Sequence, residues 1–166
     1  MTLATAGLAL LAIAVIAAAG FDLWRYEIPD TLTILIIIAA VLHGLGTPGF
    51  AWASHAAAGG IFFAFGLLAF ARGWLGGGDV KVMTGCACWA SLATLAEQVV
   101  LIALAGGVLA LLLMLLRRSL SLAGVVGDDA PRLIRVGADL PYAVAIAAGM
   151  ALWAWRHLPL PWTSQF

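Results

Sequence analysis

The sequence predicts an all-α integral membrane protein, a single domain of six transmembrane helices, and three observations carry that prediction. Hydrophobic residues make up 64% of the 166 and charged residues only 10%, with a mean hydropathy of +1.11. A soluble domain carries roughly 25% charged residues, and one this small could not hide so much apolar surface. The charges are gathered into short segments between long uncharged runs. Seven of the eight basic residues fall in alternate segments, as the positive-inside rule requires of a multi-pass chain.

Charge and helix breakers mark the limits of each span. Leu3 to Phe21 is nineteen uncharged residues, which in a helix reach about 29 Å, close to the hydrocarbon thickness. No basic residue precedes this run, so it reads as a retained first span (3–21) rather than a signal peptide. A polar turn comes next, from Asp22 to Asp30. Thr31 to Ala71 carries no formal charge across 41 residues, too many for one span. The Gly44–Gly49 stretch divides it into spans over 31–46 and 51–71. Arg72 to Lys81 is the next polar segment. From Val82 to Leu116 only Glu97 interrupts the apolar run, which predicts spans over 80–96 and 98–116. Glu97 then lies near the turn, solvated at the outer surface. Arg117 to Asp139 holds seven of the sixteen charges and is expected to be a solvated loop. Within it, Asp128 and Asp129 precede Pro131, and Asp139 is placed to cap the sixth span, 139–156.

Six spans put three loops on one side, containing Arg25, Arg72, Lys81, Arg117, Arg118, Arg132 and Arg135, against Arg156 alone on the other. That asymmetry predicts cytoplasmic loops and both termini outside. Trp52, Trp153, Trp155 and Trp162 fall near the outer boundary and Trp24 and Trp74 near the inner one, as an aromatic belt would. Eight acidic residues balance eight basic ones, so charge implies no nucleic-acid partner.

Asp22 closes the first span and Asp79 opens the fourth, so both belong to one membrane face whatever the absolute orientation. Two carboxylates in one partly dry site cannot both ionise easily and come to share a proton. One can then act as base on a water while the other protonates a substrate carbonyl. The glycines ahead of Asp79 leave room for a substrate backbone. An aspartate before an apolar run is also a common helix N-cap, which is the plainer alternative. His43, His55 and His157 have no ligand-like partners in sequence, and Cys86 and Cys88 lack zinc spacing, so no metal or other cofactor is expected. Gly59-Gly60 and Gly106-Gly107 are expected to permit close helix contact.

Three motifs in order carry a resemblance. Asp22 is followed by Ile28-Pro29, then comes Gly76-Gly77-Gly78-Asp79-Val80-Lys81, and Leu140-Pro141-Tyr142 opens the last span. Together these resemble the bacterial prepilin leader peptidases, polytopic aspartic endopeptidases of the GxGD type, and within them the compact subfamily serving Tad/Flp-type pili. The resemblance implies a bacterial inner-membrane endopeptidase that removes a short basic leader from prepilin and pseudopilin precursors on the cytoplasmic side. It makes Asp22 and Asp79 catalytic, with Gly77, Gly78, Lys81 and Pro29 supporting them, and pilus or secretion machinery a possible partner beside the lipid bilayer. Asp30 stands where the family usually has Asn, Glu27 in a stretch usually basic, and Ala143 where Gly is usual. The cysteine-rich segment that larger relatives link to N-methylation of the pilin is missing from the nine-residue loop 22–30.

Two further readings compete. A small transporter or uptake component would place ionisable groups near the bilayer midplane, whereas here the carboxylates stand at span ends. A non-catalytic assembly factor could retain the same motifs. Arg25, Arg72 and Lys81 against Asp22, Glu27, Asp30 and Asp79 is too even a balance to draw in a basic leader by field alone.

Overall fold

The computed structural model describes residues 2–122, 132–135 and 138–158. These form α1 (Leu3–Arg25), α2 (Asp30–Leu45), α3 (Trp52–Ala71), α4 (Gly77–Ala87), α5 (Leu95–Leu122) and α6 (Tyr142–His157), with a single 3₁₀ turn at Arg132–Ile134. The all-helical class is as expected, and no strand occurs among the described residues. Three helices, α1, α3 and α5, are long and apolar enough to cross a membrane. The 16 residues of α2 and of α6 reach about 24 Å each. Asp128, Asp129 and Trp162 lie outside the described residues.

The helices alternate in direction around a small-residue core. α1 packs on α2 and α6, α6 on α5, and α4 on α3 and α2. Glycine sets several of these approaches. A Cβ on Gly7 would stand 2.6 Å from the Ala39 carbonyl oxygen, and one on Gly149 would stand 2.5 Å from the Ile102 Cα. Both obstacles are backbone, so neither can move aside. Of the two expected glycine pairs only the first member of each fits the expectation. Gly59 faces the Cys88 sulfur and Gly106 the Tyr142 ring, while Gly60 and Gly107 have nothing within 4 Å.

The largest departure from expectation is the fourth helix, which stops at Ala87 instead of running to 96. Its 11 residues cover only about 17 Å. A turn-rich segment, 88–94, replaces the missing helix level with the first turns of α3. Irregular backbone packed inside the bundle must have its polar groups satisfied by protein, and side chains join the local turn bonds in doing so. Gln98, 1% exposed, donates Nε2–H to the Cys86 carbonyl at 2.9 Å. His55 donates from Nδ1 to the Cys88 carbonyl at 3.2 Å, and Ser54 Oγ accepts from the Leu92 amide at 2.9 Å. Trp89 donates to the Ile36 carbonyl at 3.1 Å, tying the segment to α2.

Other expectations are corrected at the helix ends. Glu97 is not a solvated turn residue. It lies in the first turn of α5 and bonds Arg156 Nε at 3.0 Å and His157 Nε2 at 2.9 Å in the last turn of α6. An acid at a helix start and bases at a helix end both suit the backbone dipoles. α5 continues through Arg117 and Arg118 to Leu122, so those arginines are helical rather than part of a loop. Pro141, not Asp139, precedes α6, and no side chain caps that helix. Trp24, Trp52, Trp74 and Trp155 are exposed as a belt requires, but Trp153 is 2% exposed and belongs to the core.

Candidate active site

Three helix ends meet at one end of the bundle. α1 runs four residues past its expected limit, and this places Asp22 in its last turn, 7% exposed, instead of in a loop. The helix closes at Tyr26, whose φ of 56° is left-handed and whose N–H reaches back to the Asp22 carbonyl at 3.1 Å. That turn sends the chain through Glu27 and Ile28 to Pro29, which precedes α2 with φ −59°. α4 starts after Gly76 and carries Asp79 in its first turn, ahead of the apolar stretch from Val80. At the start of α6 the Ala143 amide donates to Asp22 Oδ2 at 2.8 Å.

Asp22 and Asp79 line one cavity of about 880 Å³, together with Tyr26, Glu27, Ile28, Trp74, Leu75, Gly76, Gly77, Gly78, Lys81, Asp139, Leu140 and Tyr142. Burial raises the Asp79 carboxyl from 3.8 to about 6, the negative charge of Asp22 adds to the rise, and the Gly76 amide bonded to it opposes both. The two aspartates therefore feel each other. A group poised near 6 holds its proton over much of the weakly acidic range and can donate it.

The expected supporting residues divide. Gly77 and Gly78 line the cavity, but a Cβ on them would meet Phe70 and Ile28 only at 3.4 and 3.7 Å, which is ordinary contact. Gly76 is the constrained position, since its Cβ would stand 2.9 Å from Asp79 Oδ2. Lys81 lines the cavity but bonds Asp30 Oδ1 at 2.8 Å. The Asp30 departure thus has a partner, and the pair, about half exposed or more on both sides, is worth at most about 1 kcal/mol. Pro29 serves as the boundary of α2 and is absent from the cavity wall.

Charge around the cavity is less even than the loop count implied. Arg25 stacks over Phe21 and Trp24, at 5.7 and 5.8 Å, and Arg72 over Trp74 at 5.5 Å. Neither arginine lines the cavity. Asp22, Glu27, Asp79 and Asp139 do, against Lys81 alone. Sequence reasoning missed Trp74 and the Ala143 amide as parts of the site, and named Gly76 and Tyr142 only as members of motifs. Only the ordered motifs could have pointed to them, since each stands within or beside one. Among the described residues no three His, Cys, Asp or Glu side chains stand close enough together to hold a metal ion.

Three helices able to cross a membrane, in a bundle that brings two carboxylates from separate elements to one cavity, define an integral membrane protein with a candidate carboxylate site. The chain belongs to the type IV leader peptidase family, whose model matches residues 9–129, more than half of the sequence and inclusive of both aspartates. No curated protein and no solved structure matches it. Membership implies a peptidase.

Proposed function

We propose that the protein is an aspartic-type endopeptidase of the bacterial inner membrane that removes the short basic leader of prepilins and pseudopilins of the Tad/Flp kind. The observation that carries this reading is the convergence of Asp22 and Asp79 on one cavity at a helix-end boundary, with Asp79 held near 6 by burial and by Asp22. One carboxylate takes a proton from water as that water attacks the scissile carbonyl, and the protonated partner gives its proton to the carbonyl oxygen. The acidic lining favours a substrate segment bearing positive charge. In this reading the chain crosses six times, with α1, α2, α3, α5 and α6 as spans and the stretch 80–96, α4 continued by the turns after it, as the fourth crossing, with the cavity toward the cytoplasm and both termini outside. The basic residues on the cavity-side loops and helix ends support that orientation.

The test is incubation of the purified protein, in lipid, with a Flp-type prepilin. The wild type is expected to cut at the junction between leader and apolar helix. Asp22→Asn and Asp79→Asn are each expected to abolish the cut, because an amide is nearly isosteric but cannot exchange a proton in the same way. Full activity in Asp79→Asn would overturn the dyad. A wild type that cuts no precursor would turn the reading toward transport or assembly.

A further inference from the structure

Outside the carboxylate cavity, one side chain is engaged in a way that the reaction does not by itself require. Arg117, near the end of α5, donates from all three guanidinium nitrogens to main-chain carbonyls. Nε bonds Leu133 O at 3.0 Å, Nη1 bonds Ala138 O at 2.7 Å and Nη2 bonds Asp139 O at 3.2 Å. All three acceptors belong to the segment that leads into α6. A guanidinium is a rigid planar fork, so bonding two adjacent carbonyls fixes their orientation as well as their distance.

The residues immediately after the clamped carbonyls belong to the carboxylate site. After Asp139 come Leu140, which lines the cavity, and the buried Pro141, which limits slack in the chain. Tyr142 lines the cavity too, and the next amide, that of Ala143, holds Asp22 Oδ2 at 2.8 Å. We propose that Arg117 is a positioning residue: by clamping the carbonyls of Leu133, Ala138 and Asp139 to α5 it keeps the first amides of α6 seated on Asp22. The consequence for catalysis rests on the peptidase reading above, whereas the clamp itself does not.

The rest of α6 has its own anchorage. Gly149 lies against the Ile102 backbone, and Arg156 and His157 pair with Glu97 of α5. Loss of the clamp should therefore loosen the start of α6 without separating it from α5. The Ala143 N–H favours the ionised form of Asp22, so its loss moves the acid limb of the activity profile upward. The other titratable groups around Asp22 are Asp79 and Lys81 on α4, with Asp30 paired to Lys81. Tyr26 and Glu27 lie beyond α1, and Asp139 and Tyr142 at the entry to α6. Of these, Asp139 meets Arg117 through its carbonyl.

Two readouts on Arg117→Ala and Arg117→Lys in lipid decide the matter. Hydrogen exchange is expected to quicken at Tyr142 to Ala145 in Arg117→Ala, while amides 148–153 keep their protection. With a Flp-type prepilin, kcat is expected to fall about tenfold or more, with the acid limb shifted to higher pH. Ethylguanidinium should restore part of that loss, and Lys, lacking the fork, should recover less than the added guanidinium does. Unchanged exchange at 142–145 would overturn the clamp whatever the activity. Faster exchange with an unmoved pH profile and kcat would overturn its link to Asp22. If the wild type cuts nothing yet exchange responds as described, the clamp stands and the peptidase reading falls.

Discussion

Where α1 ends and α4 and α6 begin, four carboxylates line one cavity, with Asp22 buried among them. At the opposite end, where α1 starts and α4 stops, the polar groups are turned inward onto backbone. His43, 4% exposed, bonds the Ala4 carbonyl at 3.2 Å, Gln98 bonds Cys86, and His55 stacks on Phe50 with ring centroids 4.0 Å apart. Glu97, the acid at that end, is matched by Arg156 and His157. The difference teaches which polar residues serve the fold and which are left for chemistry. A buried donor satisfied by a neighbouring carbonyl stabilises the native state. A carboxylate held beside a second carboxylate costs stability and is poised to react.

The largest effect should come from removing that poised pair. Asp22→Asn, Asp79→Asn and the double variant should show equal loss of prepilin cleavage, because the two groups act as one unit and are not additive. A double variant much worse than either single would mean that the two act independently. Next is the opposite end. Gln98→Leu removes one of two donors to the buried Cys86 carbonyl, which keeps the Trp89 amide at 3.0 Å, and should cost about 0.5–1.5 kcal/mol, read as a lower thermal midpoint in detergent, with specific activity of the folded fraction retained. Loss of activity there without loss of stability would erase the contrast between the ends.

Gly76→Ala separates position from stability within the site. The added Cβ displaces the Asp79 carboxyl, and displacement of a reacting group by about 1 Å can cost up to about 100-fold in rate. The melting profile should barely move, and kcat should carry the loss. Smallest is Lys81→Met. Its pair with Asp30 is exposed, so stability should change by less than about 1 kcal/mol, and cleavage by no more than a few-fold.

Legibility in the sequence tracked the same division. Asp22 and Asp79 could be read because each sits inside a short motif at the end of an apolar run, and span ends of like parity share a face. Arg117, Gln98 and the Ala143 amide could not, because their partners are distant in sequence and, for the two side chains, main chain. Arg117 meets Leu133, Ala138 and Asp139, Gln98 meets Cys86, and Ala143 meets an aspartate 121 positions earlier. Hydropathy carries no record of such pairings. The short α4 was hidden for a related reason. Residues 88–94 contain no proline or glycine to stop a helix; side-chain bonds from α3 and α5, and one from Trp89 to α2, hold the turns instead. Lys81 was legible as a boundary residue, while its partner Asp30 became visible only when α2 and α4 were brought side by side.

The central claim is that Asp22 and Asp79 form one coupled site, and the titration of Asp79 tests it most directly. Carboxyl-labelled aspartate observed by infrared or carbon resonance, in protein held in lipid, should show Asp79 protonating near pH 6. In Asp22→Asn the midpoint should fall but stop above 3.8, since burial, the larger cause, remains. Stability moves in step: a raised carboxyl favours the folded state below 3.8 and loses that advantage as pH rises through about 6. Asp79→Asn should therefore melt higher than the wild type at pH 8, with the gap closing below pH 4. An Asp79 that titrates near 3.8 in the wild type, or whose midpoint is indifferent to Asp22→Asn, would contradict the claim.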